Sequence, residues 1–129
     1  MTPCWVGVDV VLAIHDEQLA EHGGAVGIRD RAMLESALDR PRNRPDLGGC
    51  RNICELAACY AFGLARNHGF LDGNKRVSAV VTELFLALNG YELSASDEAV
   101  VQTWTAIAAG EMTEEEIIAW IRHFASGPP

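Results

Sequence analysis

The sequence predicts an all-α fold, a compact bundle of about six helices. Apolar residues recur at intervals of three and four along most of the chain, and the alternation of apolar and polar residues that marks strands is almost absent. The chain has 129 residues, of which 49% are hydrophobic, and this is enough to bury one core. We therefore expect a single domain over residues 1–129.

The first two predicted helices are separated by a glycine-rich turn. The earlier helix ends at the pair Gly23-Gly24, which supplies a flexible stop. Its apolar stripe comprises Val8, Val11, Leu12, His15, Leu19 and His22. The second helix covers residues 30–38 and is short, because Pro41 and Pro45 prevent it from continuing. Residues 42–50, rich in proline, glycine and charge, are predicted to form a loop.

Two central helices are predicted on either side of a polar stretch. Residues 53–67 are apolar on nearly every side, which is typical of a buried helix. Beyond residue 76 an apolar stripe resumes at helical spacing, and Asn89-Gly90 ends it. This stripe comprises Val77, Val80, Val81, Leu84, Phe85 and Leu88. The polar stretch, residues 68–78, therefore joins two helices.

Capping residues mark the last two helices. Ser96 is the predicted N-cap of one, and Thr113 with Glu116 forms a capping box that opens the other. Their apolar residues are Val100, Trp104, Ile107, Ile117, Trp120, Ile121 and Phe124. We expect Trp104, Trp120 and Trp5 to pack between helices rather than to stack on nucleic acid bases.

Charge and composition restrict the possible partners. The formal net charge of −8 argues against direct nucleic acid binding, because general attraction to phosphates depends on clustered cations. No N-terminal stretch has the pattern of a signal peptide, and no apolar run reaches membrane-spanning length. We therefore expect a cytoplasmic protein that does not bind a membrane.

The cysteines do not form a recognisable metal motif. Cys4, Cys50, Cys54 and Cys59 lack the C-x-x-C spacing of a zinc site. Cys50 and Cys54 would share one helix face, which leaves metal binding open. Buried, reduced thiols are the favoured interpretation.

The polar stretch HGFLDGNKRVS, residues 68–78, concentrates reactive side chains between two helices. His68 follows a helix end, where the helix dipole favours a proton-accepting imidazole, and this suits a general base. Phe70 would anchor the loop in the core. Asp72 offers the hard oxygen ligand that Mg²⁺ prefers when it also binds substrate phosphates.

The second half of the same stretch is suited to an anion. Gly73 lets backbone amides approach a ligand closely, and Asn74 begins a helix whose first N–H groups favour negative charge. Lys75 and Arg76 add two cations, which oppose the helix dipole and so have no good explanation in stability. Each residue alone is compatible with an ordinary turn or a solvated face. Together with His68 they predict phosphoryl or nucleotidyl transfer.

The string HGFLDGNKR resembles the active-site motif of the Fic/Doc superfamily, H-x-F-x-[DE]-[GA]-N-x-R. A second string, IHDEQLAEHGGAVGIRDRAMLESALDRP at residues 14–41, is similar to the N-terminal signature of the Doc (death-on-curing) branch. This branch comprises toxins of bacterial toxin–antitoxin pairs. The resemblance extends over most of the chain. It implies a Fic/Doc-type helical bundle with the active-site loop between two central helices.

The resemblance also implies residue roles. His68 would be the general base toward a target hydroxyl, and Asp72 would bind Mg²⁺. The predicted catalytic residues are His68, Asp72, Lys75 and Arg76, and the predicted nucleotide-binding residues are Gly73, Asn74, Lys75, Arg76 and Arg66. Where nucleotidylating Fic proteins have a second glycine and a second arginine, this chain has Lys75 and Ala79. It shares Lys75 with Doc.

The implied activity is therefore that of Doc, which transfers the γ-phosphoryl group of ATP to a threonine of elongation factor Tu and halts translation. We expect a protein Ser/Thr phosphotransferase that uses ATP and Mg²⁺, arrests growth and is silenced by a Phd-type antitoxin. Two alternatives stay open. One is nucleotidyl (AMP) transfer, as in other Fic proteins, and the other is a non-catalytic interaction module.

Three further features are open to more than one interpretation. His15 is expected to be a hydrogen-bonded core histidine rather than a catalytic residue. Arg66 could contact a phosphate or an acidic partner, or could equally stabilise the end of its own helix. Residues 24–32 correspond to a flap that aligns the target peptide in the family, although glycine-rich turns between helices are common without that role.

Overall fold

The computed structural model describes residues 3–43 and 52–128, and its fold is all-α, as predicted. Within these residues there are six helices and two short strands. The helices are α1 (Val8–His22), α2 (Arg31–Asp39), α3 (Ile53–Arg66), α4 (Asn74–Leu88), α5 (Asp97–Ala108) and α6 (Glu114–Phe124). The strands are β1 (Glu92–Leu93) and β2 (Ala125–Ser126).

Helix α3 is the centre of the bundle. It packs against α2, α4, α5 and α6, and α1 lies against α4. Most of its side chains are buried, since small residues such as Ala57 and Ala61 let neighbouring helices approach on all sides. The prediction of a buried central helix is confirmed.

Side-chain caps fix the starts of four helices. Asp30, Asn52, Ser96 and Thr113 each accept a hydrogen bond from the backbone N–H three residues ahead. Glu116 completes the predicted capping box by accepting from the N–H of Thr113 at 2.8 Å. Each bond satisfies an N–H group that the first turn of a helix leaves without a helical partner.

A buried polar cluster ties α3, α4 and α5 together. The Ser78 hydroxyl on α4 donates to the Ala61 carbonyl on α3 at 2.8 Å. It accepts from the Trp104 indole N–H on α5, also at 2.8 Å. Trp104 stacks edge-on against Trp120, and Trp5 stacks on Phe85. The predicted packing of the tryptophans between helices is confirmed.

The two strands are the feature that helical periodicity did not predict. Glu92 pairs with Ser126 and Leu93 with Ala125 in an antiparallel ribbon that fastens the segment after α4 to the end of α6. Two residues are too few for a period-two pattern to register in a sequence.

The cysteines differ from one another in burial. Cys54 and Cys59 are buried, as predicted, and burial raises the pKa of the Cys54 thiol above its usual value. Cys4 is exposed, and for it the prediction was wrong, because Asn89 holds its main-chain N–H and carbonyl at the surface. Cys50 and most of the predicted loop 42–50 lie outside the described residues. No helix in the described part of the chain is long and apolar enough to cross a membrane.

Candidate active site

Two loops meet at the start of α4. The first, residues 67–73, joins α3 to α4 and is here called the motif loop. The second, residues 23–30, joins α1 to α2 and is called the flap loop. Ile28 pairs with Phe70 in an isolated antiparallel bridge, and the N–H of Leu71 donates to the Gly27 carbonyl at 3.1 Å. This pairing fixes the flap loop against the motif loop.

Phe70 anchors the motif loop, as predicted. Its side chain is 2% exposed and stacks on the His15 ring, with centroids 3.8 Å apart and planes 9° from parallel. The Asn74 side chain accepts from the Phe70 N–H and donates to the Phe70 carbonyl, both at 3.0 Å. The Asn74 amide therefore holds the loop, and its main-chain N–H is the group that Asn74 can offer to an anion.

His68 is exposed and has a left-handed backbone, with φ at 49°. No other non-glycine residue in the described ranges has a positive φ. It directly follows Asn67, the C-cap of α3, at a position that helices usually give to glycine. The Arg29 guanidinium of the flap loop donates to the His68 carbonyl at 3.0 Å, which helps hold this conformation. A strained residue held by its surroundings is typical of functional sites.

Asp72 is exposed, and main-chain groups hold its carboxylate. Oδ1 accepts from the N–H of Gly73 at 2.8 Å, and Oδ2 accepts from the N–H of Ala25 at 3.3 Å. Its own carbonyl accepts from His15 Nε2 at 3.0 Å, so this ring nitrogen carries the proton. A Cβ on Gly24 would lie 2.8 Å from Oδ2, so the absence of a side chain at Gly24 lets the carboxylate keep its present position beside the flap loop.

The first turn of α4 provides positive charge and backbone donors. Gly73 is its N-cap, with φ at 82° and no side chain to accept from the first N–H groups. Lys75 and Arg76 in this turn are exposed. The turn can therefore bind an anion through N–H groups and side-chain cations together.

A cleft of about 900 Å³ opens in front of these groups. One wall is formed by His68, Asp72, Gly73, Asn74, Lys75 and Arg76, all of them predicted site residues. A second wall is largely apolar and belongs to α5 and its C-cap, with Val100, Val101, Trp104, Thr105, Ala108 and Ala109. Arg66 is the predicted site residue that does not line the cleft. Its guanidinium lies over the Phe62 ring, 5.4 Å from the centroid, and beside Gly110.

The donor set fits a magnesium ion that shares its ligands with a substrate. No cluster of three or more metal-binding side chains exists among the described residues, so most ligands of an ion bound at Asp72 would come from water or substrate. Mg²⁺ is often bound in this way, through one or two carboxylates together with waters and substrate phosphates. The exposed carboxylate at the edge of an anion-binding turn meets that requirement.

Several contributors to the site were not named as site residues from the sequence. Ala25 contacts Asp72, 47 positions away, and Arg29 contacts His68, 39 positions away. Helical periodicity does not indicate contacts between residues so far apart in the sequence. The apolar residues of α5 were predicted to lie in the core. Their helical spacing indicates an apolar face, but it does not indicate whether that face packs against another helix or lines a cleft. The available signal was the glycine-rich flap loop, since glycine indicates close approach of backbone segments.

Sequence comparison relates the chain to known proteins. A model of the Fic/DOC family matches residues 5–86, which include the flap loop and the motif loop. The chain therefore belongs to the Fic/DOC family, as its motif predicted. It is 29% identical over 117 residues to "Protein kinase doc" of Escherichia phage P1, which is 91% of this chain and 92% of that protein. It is 35% identical over 74 residues to "Toxin Doc" of Mycolicibacterium smegmatis, 57% of each chain.

Proposed function

We propose that this protein is a Doc-type toxin that transfers the γ-phosphoryl group of ATP to a Ser or Thr hydroxyl of a translation protein. Elongation factor Tu is the target we propose, from the resemblance to Doc. The observation that carries the proposal is one cleft that brings together a histidine, a carboxylate, two cations and a helix N-terminus. The name "Protein kinase doc" of the relative from phage P1 supports the same reaction.

His68 is the proposed general base. It removes the proton of the target hydroxyl as the oxygen attacks the γ-phosphorus, and the bond from that phosphorus to the β–γ bridging oxygen breaks. The products are a phosphorylated protein and ADP. The fixed backbone of His68 contributes by keeping the imidazole at one place on the cleft wall.

Lys75, Arg76 and the first N–H groups of α4 are proposed to bind the phosphates. Their positive charge stabilises the negative charge that spreads over the phosphoryl oxygens during transfer. Asp72 is proposed to bind Mg²⁺, which when present neutralises phosphate charge and orients the nucleotide.

The flap loop is proposed to bind the target segment. Its backbone already pairs with the motif loop, and Val26 and Ile28 are exposed there, beside an exposed Leu71. An extended peptide can gain both backbone and apolar contacts at such an edge. This arrangement would bring a target hydroxyl toward His68.

A Phd-type antitoxin is the proposed inhibitor. The lining of the cleft combines an apolar wall on α5 with Lys75 and Arg76 of α4. An amphipathic helix with apolar residues on one face and acidic residues beside them would match both walls.

Labelled ATP tests the reaction directly. The protein is incubated with bacterial lysate and ATP labelled at either the α or the γ phosphate, and labelled proteins are separated and identified. We expect γ label, and no α label, in one prominent protein, with the label on Ser or Thr. The matched control is the His68→Ala variant with its fold verified by circular dichroism.

Each other outcome selects a different conclusion. Transfer of the α label would establish nucleotidyl transfer in place of phosphoryl transfer. No label from either position, with a folded protein that still binds a partner, would support an interaction module. Transfer of the γ label to a protein other than elongation factor Tu would support the proposed reaction and would identify a different target.

A further inference from the structure

We infer that His15, a buried residue of α1 outside the predicted site, is a positioning residue for Asp72 and for the phosphate-binding turn. The side chain is 4% exposed, so it does not reach the cleft to act on a substrate. It acts through the motif loop. The part of this inference that concerns Mg·ATP rests on the proposed function, whereas the part that concerns loop geometry does not.

His15 lies against three residues of the motif loop, Phe70, Asp72 and Gly73. Its ring stacks on Phe70, and its Nε2–H donates to the Asp72 carbonyl at 3.0 Å. The same edge of the ring faces Gly73, where an added Cβ would lie 3.7 Å from Cδ2 and 3.9 Å from Nε2. One side chain thus supports the loop from its aromatic anchor to the N-cap of α4.

Asp72 is held by hydrogen bonds to both its side chain and its main chain. The Ala25 and Gly73 N–H groups hold the two carboxylate oxygens, and His15 holds the carbonyl. Two of these three donors lie in α1 or the flap loop that follows it, so the orientation of Asp72 depends on where α1 sits. If the carbonyl is released, the peptide between Asp72 and Gly73 can rotate and move both the carboxylate and the Gly73 N–H at the N-cap of α4.

A buried histidine has a simpler explanation, which is core packing alone. Packing requires the ring but not a donor at Nε2, and a buried donor is costly to place unless it is satisfied. His15→Phe keeps an aromatic ring that can stack on Phe70 and removes the donor. His15→Gln keeps a donor that can reach the carbonyl and removes the ring. The two variants therefore separate the two explanations.

The first measurement is amide hydrogen exchange of Ala25 and Gly73 in the protein without nucleotide. Both N–H groups donate to the Asp72 carboxylate, so they report its position. We expect His15→Phe to accelerate exchange at both amides about tenfold and His15→Gln to restore much of the protection. Val11→Ala, which removes a buried α1 side chain one turn away, is the matched control for general loosening of the helix.

The second measurement is the affinity for Mg·ATP by calorimetry, in the presence of Mg²⁺ and with EDTA. We expect His15→Phe to weaken Mg·ATP binding about tenfold, since residues that orient metal ligands have effects of 10 to 100-fold on affinity. In an Asp72→Asn background the same change should have little further effect, because His15 acts through Asp72.

The outcomes are distinguishable. Unchanged exchange at Ala25 and Gly73 in His15→Phe overturns the positioning role, as does an equal acceleration in Val11→Ala. If His15→Phe weakens Mg·ATP binding equally in the unaltered protein and in the Asp72→Asn background, His15 does not act through Asp72. Failure of the unaltered protein to bind Mg·ATP contradicts the proposed function, and the exchange data then decide the role of His15 by themselves.

Discussion

At the scale of single residues, the backbone of His68 departs from the local preference of a non-glycine residue. The position after a helix C-cap is commonly glycine, because a left-handed backbone brings the Cβ of any other residue too close to the following carbonyl. Here it holds a histidine with φ at 49°. The strain costs on the order of 1–2 kcal/mol, which a bystander residue would not need to retain.

This strain gives a prediction that separates stability from activity. His68→Gly should be more stable than His68→Ala by about 1 kcal/mol, because glycine adopts the left-handed backbone without strain and alanine does not. Both variants should lose transfer activity by about 10²–10⁴-fold, since neither has the proposed general base. Thermal unfolding and the γ-label assay measure the two effects. An alanine variant at least as stable as the glycine variant would contradict the strained backbone.

Gly24 is a second residue whose role is set by distance. In Gly24→Ala the new Cβ would meet Asp72 Oδ2 at 2.8 Å, at a backbone φ of 126° that alanine rarely adopts. We expect Mg·ATP affinity to fall by about tenfold, because the carboxylate must move. Gly7→Ala is the control, since nothing lies within 4 Å of its added Cβ. Calorimetry on both variants checks this, and equal affinities would remove Gly24 from the site.

At the scale of elements, what could be predicted from the sequence was local. Ser96 and the pair Thr113 and Glu116 mark helix starts through contacts three residues apart, and both predictions are confirmed. The motif loop was predicted for the same reason, since its reactive residues are contiguous. The bond from Arg29 to His68 and the bond from His15 to Asp72 were not predicted, because each joins elements distant in the chain.

The α3–α4–α5 junction gives a prediction about element packing. Ser78→Ala removes one hydroxyl that serves both the Ala61 carbonyl and the Trp104 indole, so it breaks two buried hydrogen bonds and takes away the acceptor of the indole N–H. We expect the free energy of unfolding to fall by about 2 kcal/mol or more. Thr82→Val, which removes a single bond to the Ser78 carbonyl, should cost less. Urea denaturation of both variants measures the difference, and an equal loss would argue against a shared junction.

At the scale of the whole molecule, the protein is acidic overall but carries two cations in the cleft. The protein has a formal net charge of −8, yet Lys75 and Arg76 line the same cleft wall as His68. An anion therefore gains from the local cations and from the helix N-terminus, not from the net field of the protein. The same distribution of charge disfavours a nucleic acid partner and favours a ligand small enough to enter the cleft, or an acidic helix that lies across it.

The last prediction concerns growth and its control. Expression of the unaltered protein in a bacterial host should arrest growth, and co-expression of the small open reading frame beside its gene should relieve the arrest by forming a stable complex. The His68→Ala variant should be harmless and should still bind that partner, because the α5 wall, Lys75 and Arg76, to which the partner is proposed to bind, are unchanged. Lys75→Glu combined with Arg76→Glu should weaken the complex, and the loss should be smaller at high salt, where the attraction is already screened. Growth curves, co-purification and affinity at two salt concentrations measure these effects. Harmless expression of the folded, unaltered protein would contradict the toxin and leave the interaction module as the better interpretation.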